Sequence, residues 1–243
     1  MAINWPTHRR DIHRQTAVQE YLRQIVYGGN DGIVTTFAIV AGFAGAAADG
    51  VAQIGGLAVL VFGLANLFAD GVSMGLGEFL SGRAARDMYH TRRNTELRAL
   101  RDNPAQELRE LQQILQERGL PQGIAAQTAT ALGDHPEAVA DLMMTYEFGQ
   151  PDPRDDTPAI NGSFTFVAFL AFGVIPLVPY FVFPPTDRTF WISVGATLAA
   201  LAALGLLRWS ATGERLARTM GETVSVGTLC AAVAFGVGWL VGG

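Results

Sequence analysis

The sequence predicts an all-α, polytopic membrane protein with five transmembrane helices and a three-helix insert between the second and third. Three observations predict it. Of 243 residues, 49% are hydrophobic and only 16% charged, with 28 glycines, which is too apolar and too glycine-rich for an average soluble domain. The charges crowd into the N-terminal arm and the stretch 83–156, leaving several nearly charge-free runs of about 20 residues, the length that spans hydrocarbon as a helix. All 17 basic residues are arginine, and their placement is one-sided. The N-terminal arm, the 83–154 stretch and the 208–218 loop carry 16 of them; the loops near 49–53 and 184–188 carry only Arg188. The positive-inside rule then sets the N-terminus and insert in the cytosol and the C-terminus outside.

Residues 1–25 read as a cytosolic arm, polar and amphipathic, bearing Arg9, Arg10, Arg14 and Arg23. The opening MAINWPTHRRDIHRQ has no apolar core followed by a small-residue cleavage site, so it does not read as a secretory signal. The first span is expected over about 26–48 and opens with Gly28-Gly29-Asn30-Asp31-Gly32, small residues of the kind that let membrane helices approach closely. The second begins near Ile54 and runs without a break into charged sequence. Asn66, Asp70, Met74 and Glu78 recur there every fourth residue, on one slowly drifting helix face. If the helix is continuous, Glu96 lies about 33 Å beyond Met74.

Spans one and two occupy 26–90, and residues 91–158 form the insert. Pro104 opens a helix whose Leu108, Leu111, Ile114 and Leu115 make an apolar stripe; Gly119 and Pro121 end it. A second helix fits 122–132, and a third follows Asp134 with Pro136 in its first turn. QPDPRDDTP is a connector. The remaining spans, within 159–243, are expected at 161–183, 189–208 and 221–242. Pro176 and Pro179 in the third are tolerable only where neighbours satisfy the freed carbonyls.

A carboxylate in hydrocarbon costs about 2.5–3.5 kcal/mol even on the lenient insertion scale. Counted from opposite ends of their helices, Asp31 and Asp70 reach similar depth, and no Arg lies within either span to neutralise them. Unpaired acids beside Asn66 and the Met74 thioether suit a divalent cation or a shared proton. Each has a plainer reading: Asp31 as the cap of a broken helix, Asn66 and Asp70 as interhelical hydrogen-bond partners, Met74 as packing, Glu78 as an interfacial charge. In the insert, Glu107 and Glu110 converge on one helix face, and Met143, Met144 and Glu147 on another. Their oxygen and thioether donors suit hard to borderline first-row cations. Against that stand a solvated acidic face and an apolar methionine face. Cys230 lies alone in an apolar span, so no disulfide framework or thiolate zinc site is available. A net charge of −5 and the lack of a basic patch argue against nucleic acid.

GGNDGIVTTF, SMGLGEFLSGR, DLMMTYEFG with a following IPLVPY, and AAVAFGVG together resemble the vacuolar iron transporter family, in order, over nearly all the chain past residue 25. The resemblance implies a five-span homodimer whose long second helix and the short helices after it form a cytosolic metal-binding domain. It implies export of Fe²⁺, and of related Mn²⁺, Co²⁺ or Zn²⁺, from the cytosol in exchange for protons, with no permanently bound cofactor. Asp31 and Met74 then resemble the family's pathway carboxylate and methionine. Glu96, Glu107, Glu110, Met143, Met144 and Glu147 resemble its cytosolic ligands. Two positions depart: Asn66 stands where plant members have a glutamate, with Asp70 one turn away, and Ala99 replaces a further cytosolic glutamate. The first bears on proton coupling and metal preference, the second on how many ions the insert holds.

Rival classes are a metal sensor without transport, a manganese-selective exporter, and a membrane-bound di-iron enzyme. The last needs Glu-x-x-His pairs, and neither His90 nor His135 follows a glutamate by three. An enzyme is therefore not expected. The plasma membrane is the default location, since no sorting signal is evident.

Overall fold

The computed structural model describes residues 7, 8, 12, 16–46 and 55–242; the expected 49–53 loop and Arg9, Arg10 and Arg14 lie outside the described residues. All regular structure among them is helical. After a helical turn at Ala17–Glu20, boxed by Thr16 and Gln19, come α1 (Leu22–Ala46), α2 (Gly56–Asp102), α3 (Pro104–Glu117), α4 (Gln122–Leu132), α5 (Pro136–Tyr146), α6 (Pro158–Gly173), α7 (Asp187–Thr212) and α8 (Leu216–Gly242). They form two compact units, residues 80–158 and the remainder; α2 contributes its first part to the larger unit and its end to the smaller.

Four helical segments are long and apolar enough to cross a membrane: α2, Pro158–Val182, α7 and α8. The sequence predicts a fifth, α1, which is 25 residues long but falls outside this set. Its first half carries Gln24, Asn30 and Asp31, and polar side chains lower its hydropathy. The glycines of Gly28–Gly32 are regular helix, so Asp31 does not cap a break.

Within the larger unit, α1 packs on α6, α7 and α8. A Cβ at Gly28 or Gly32 would collide with the carbonyl oxygens of Thr165 and Phe169 on α6. Glycine there lets backbone lie against backbone. Ile33, Ala200, Leu201 and Leu204 form one core cluster; Phe37, Val40, Ala41, Val59 and Leu177 form another. Buried hydroxyls in this dry interior are satisfied locally: Thr165, Thr197, Thr219 and Thr223 each donate to the carbonyl four residues back. Thr36 is the exception, its hydroxyl buried without a partner. Leu57, Val61, Phe68, Val72, Leu76 and Leu80 stay exposed along α2, an arrangement costly in water and natural against lipid.

The predicted third span is interrupted. α6 stops at Gly173, a 3-10 turn covers Ile175–Leu177, and a short helix takes Val178–Val182, because Pro176 and Pro179 supply no N–H. Ser193 on α7 donates to the Pro176 carbonyl at 2.6 Å. Helices α6 to α8 also begin two to five residues before the apolar runs do. For α7, the Thr186 side chain accepts from the Thr189 N–H at 3.4 Å and caps the extension.

The smaller unit has its own core: Leu100, Leu111, Ala129, Val139, Ala140 and Met143. Proline opens α3 and α5, as their spacing predicts, and α4 coincides with the expected 122–132. Gly119, at φ +97°, turns the chain out of α3.

Candidate metal sites

In the larger unit, Asn66, Asp70, Met74 and Glu78 are half-buried on α2, and Asp31 is half-buried on α1. The four-residue spacing keeps the α2 set on one side, and a hydrogen bond links its first two members. Asn66 Nδ2 donates to Asp70 Oδ2 at 2.6 Å. Asp31 on α1 stands within electrostatic reach of Asp70 on α2. Glu78 meets α1 as well: Gln24 Nε2 donates to Glu78 Oε1 at 3.4 Å. Gln24 is only 8% exposed, and its Oε1 has no partner. Moving two turns down α1 and two turns along α2 thus gives a second polar level. Gln24 is absent from the sequence-based candidates because it falls in the stretch read as an arm. The signal that finds it is its i, i+4, i+8 register with Gly28 and Gly32. A groove of about 420 Å³ between α2 and α6, lined by Val72, Gly75, Leu76, Phe79, Gly162 and Phe166 among others, is apolar and touches none of these candidates.

In the smaller unit, Glu96 projects from α2, Glu107 and Glu110 from α3, and Glu147 from the C-cap of α5. Each lies within electrostatic reach of others in the set. Burial, then Glu147, Glu107 and Glu110, push Glu96 up to about 7. Glu107, 7% exposed, is raised by burial, Glu110 and Glu147, and Glu147 by burial and Glu110. Glu110 accepts from Gln106 Nε2 at 3.0 Å. Among the described residues, no arginine pairs with any of the four. Arginine is not scarce there: Arg93 bonds Glu137 and Asp141, each at 2.6 Å, and Arg154 bonds Asp152 at 2.5 Å. Unshared negative charge of this kind favours either protons or a cation. No three His, Cys, Asp or Glu of the described residues are gathered closely enough to hold one ion as they stand.

The methionines are deeply placed. Met143 is wholly buried in the unit's apolar core beside Leu100, Leu111 and Val139, so packing explains its position. Met144 is equally buried but lies outside that cluster. Ala99 is half-buried and brings no donor side chain to the acids.

Four helices long and apolar enough to cross a membrane, with acids on α1 and α2 and a second group of acids in the smaller unit, mark a membrane protein. The VIT family model matches residues 22–239, and the chain belongs to that family. It is 33% identical over 218 residues to vacuolar iron transporter 2 of Oryza sativa subsp. japonica, covering 90% of this chain and 86% of the relative. It is 33% identical over 219 residues to vacuolar iron transporter 1 of Arabidopsis thaliana, covering 89% and 84%. It is 30% identical over 241 residues to the vacuolar iron transporter of Toxoplasma gondii, covering 96% and 78%.

Proposed function

We propose that the protein exports divalent cations from the cytosol, Fe²⁺ first among them, in exchange for protons. Of the observations that support this, one carries it: Asp31 and Asp70 lie within electrostatic reach of each other across α1 and α2, and among the described residues no arginine pairs with either. In this reading α1 is the fifth span. At 25 residues it is about 37 Å long, enough to cross hydrocarbon, and its polar side chains are spent on α2. Residues 91–158 are the cytosolic metal-binding domain. Glu96, Glu107, Glu110 and Glu147, with Met144 and Met143, gather the cation; Gln24 and Glu78 receive it; Asp31, Asp70, Asn66 and Met74 pass it across. Proton coupling follows because a cation and a proton compete for the same carboxylate oxygens, so a more acidic far side reloads the acids with protons. The working unit is a homodimer in a lipid bilayer. The relatives' names are vacuolar, which favours an internal membrane over the plasma-membrane default, and the exchange asks only that the receiving side be acidic.

The test is flux of Fe²⁺, Mn²⁺, Co²⁺ and Zn²⁺ into proteoliposomes, with and without an imposed pH gradient. Wild type should accumulate Fe²⁺ faster when the lumen is acidic, and Asp31→Ala and Met74→Ala should each abolish uptake. Unchanged uptake in both variants removes the pathway. Uptake of Mn²⁺ alone selects the manganese-exporter reading, and metal binding with no flux of any ion selects the sensor.

A further inference from the structure

We propose that Arg93 is a positioning residue for the acid cluster: it sets the register of α5 against α2 and so places Glu147 relative to Glu96. This rests on the reading that the cluster binds cations.

Arg93 sits three residues before Glu96 on α2, within one helical turn. Its Nε donates to Asp141 Oδ1 and its Nη2 to Glu137 Oε2, both at 2.6 Å. Glu137 and Asp141 are four apart on α5, hence neighbours on one face. A guanidinium is a rigid planar fork. By gripping two successive turns it fixes both how α5 is rotated and how far it has slid along α2. The Arg93 side chain is 19% exposed and Asp141 35%, so water competes less for that bond than for the one to the more exposed Glu137. Asp141 is approached on its other oxygen by Arg154 at 3.8 Å, which steadies the acceptor.

The same helix ends in the cluster. Met143, Met144 and Glu147 lie within two turns beyond Asp141. The residues flanking Glu147 are also held by arginines: Arg118 stands 4.5 Å over the Tyr146 ring and Arg92 5.6 Å over the Phe148 ring. Cation–π contacts fix these rings while leaving the Glu147 carboxylate without a cation of its own. The arginines thus secure the backbone around Glu147 and spend their charge on other acids and on aromatic faces.

The apolar contacts of Val139, Ala140 and Met143 keep α5 in place but are non-directional. They tolerate a small slide that the fork does not. Loss of Arg93 should therefore loosen the register before it unfolds the unit.

The experiment is a double-mutant cycle in full-length protein in detergent, in an Asp31→Ala background that silences the membrane pathway. Mn²⁺ affinity is read by the loss of its free EPR signal, and helix content and melting are followed alongside. Arg93→Gln should weaken Mn²⁺ roughly tenfold, and Glu147→Gln should weaken it too. In the Glu147→Gln background, Arg93→Gln should add less than about twofold, the non-additivity expected of residues that act through one another. Arg93→Lys, which keeps the charge without the fork, should recover little of the loss. Where Arg93→Gln lowers the folded fraction, Asp141→Ala, which removes the Nε acceptor and leaves the bond to Glu137, takes its place in the cycle. Unchanged affinity in the Arg93 or Asp141 variant while Glu147→Gln weakens binding overturns the proposal and leaves the cluster reading standing. Multiplicative effects in the double variant do the same. Unchanged affinity in Glu147→Gln removes the proposal together with Glu147's place in the cluster.

Discussion

Acidifying the solution should weaken cation binding by the smaller unit steeply, in a pH range where ordinary carboxylates are inert. Glu96 is pushed up to about 7 by burial and by three neighbouring glutamates, so near neutrality it is about half protonated. A cation entering the cluster must displace that proton. Between pH 7.5 and 5.5, this one group lowers apparent affinity about 25-fold; a carboxyl at the usual 4.5 would lower it only about 1.1-fold. Glu107 and Glu147 are raised as well, and steepen the slope further. Titration calorimetry with Mn²⁺ across this range, in two buffers of different ionisation enthalpy, measures both the affinity and the protons released. Glu96→Gln should flatten the profile as well as weaken binding at pH 7.5. An affinity that changes less than about twofold between pH 7.5 and 5.5 refutes the shared-proton account. Metal-free stability should run the other way. An acid raised in the folded state binds more protons there than when unfolded, so stability falls as pH rises from the ordinary carboxylate value through about 7. The apo protein should melt at a higher temperature at pH 5.5 than at 7.5.

Three substitutions test the packing of the two units. Gly32→Ala would drive a methyl group into the Phe169 carbonyl, and the overpacking should cost about 1–3 kcal/mol, read as a lower melting temperature in detergent. Gly77→Ala, which meets nothing within 4 Å, serves as the control and should leave melting unchanged. Met143→Leu conserves volume in the core and should cost under about 1.5 kcal/mol. Weaker metal binding with unchanged melting in that variant would show a ligand role for the sulfur, and unchanged binding would leave Met143 purely a core residue.

Much of this organisation is legible in the sequence because it is written in local signals. Pro104, Gly119, Pro121 and Pro136 punctuate the smaller unit, and α4 begins and ends where those signals place it. The four-residue rhythm from Asn66 to Glu78 survives because α2 is unbroken from Gly56 to Asp102. Other features depend on partners distant in sequence. Nothing near Gln24 announces that Glu78, 54 residues on, awaits its amide. Nothing near Met143 says that Leu100 and Leu111 close over it, so a donor atom and a core residue look alike. The opening of α1 misleads in a different way. Five residues, Gly-Gly-Asn-Asp-Gly, favour a loosened helix in isolation, yet the flat face of α6 fits glycine so closely that regular helix wins. The break at Pro176 is foreseeable from its missing N–H, but the choice of Ser193 as the donor to its carbonyl is made by the packing of α7.

The uninterrupted course of α2 has a consequence for how such chains tolerate length change. Each residue added to an α-helix turns everything beyond it by about 100° and advances it by about 1.5 Å. A single insertion between Asp70 and Glu78 would swing Glu78 out of register with Asn66 and Asp70, whereas the stretch 150–157, largely irregular apart from one short turn, has no phase to lose. Length changes within the polar stretch of α2 must therefore come in whole turns, whereas those in the connector before α6 need not.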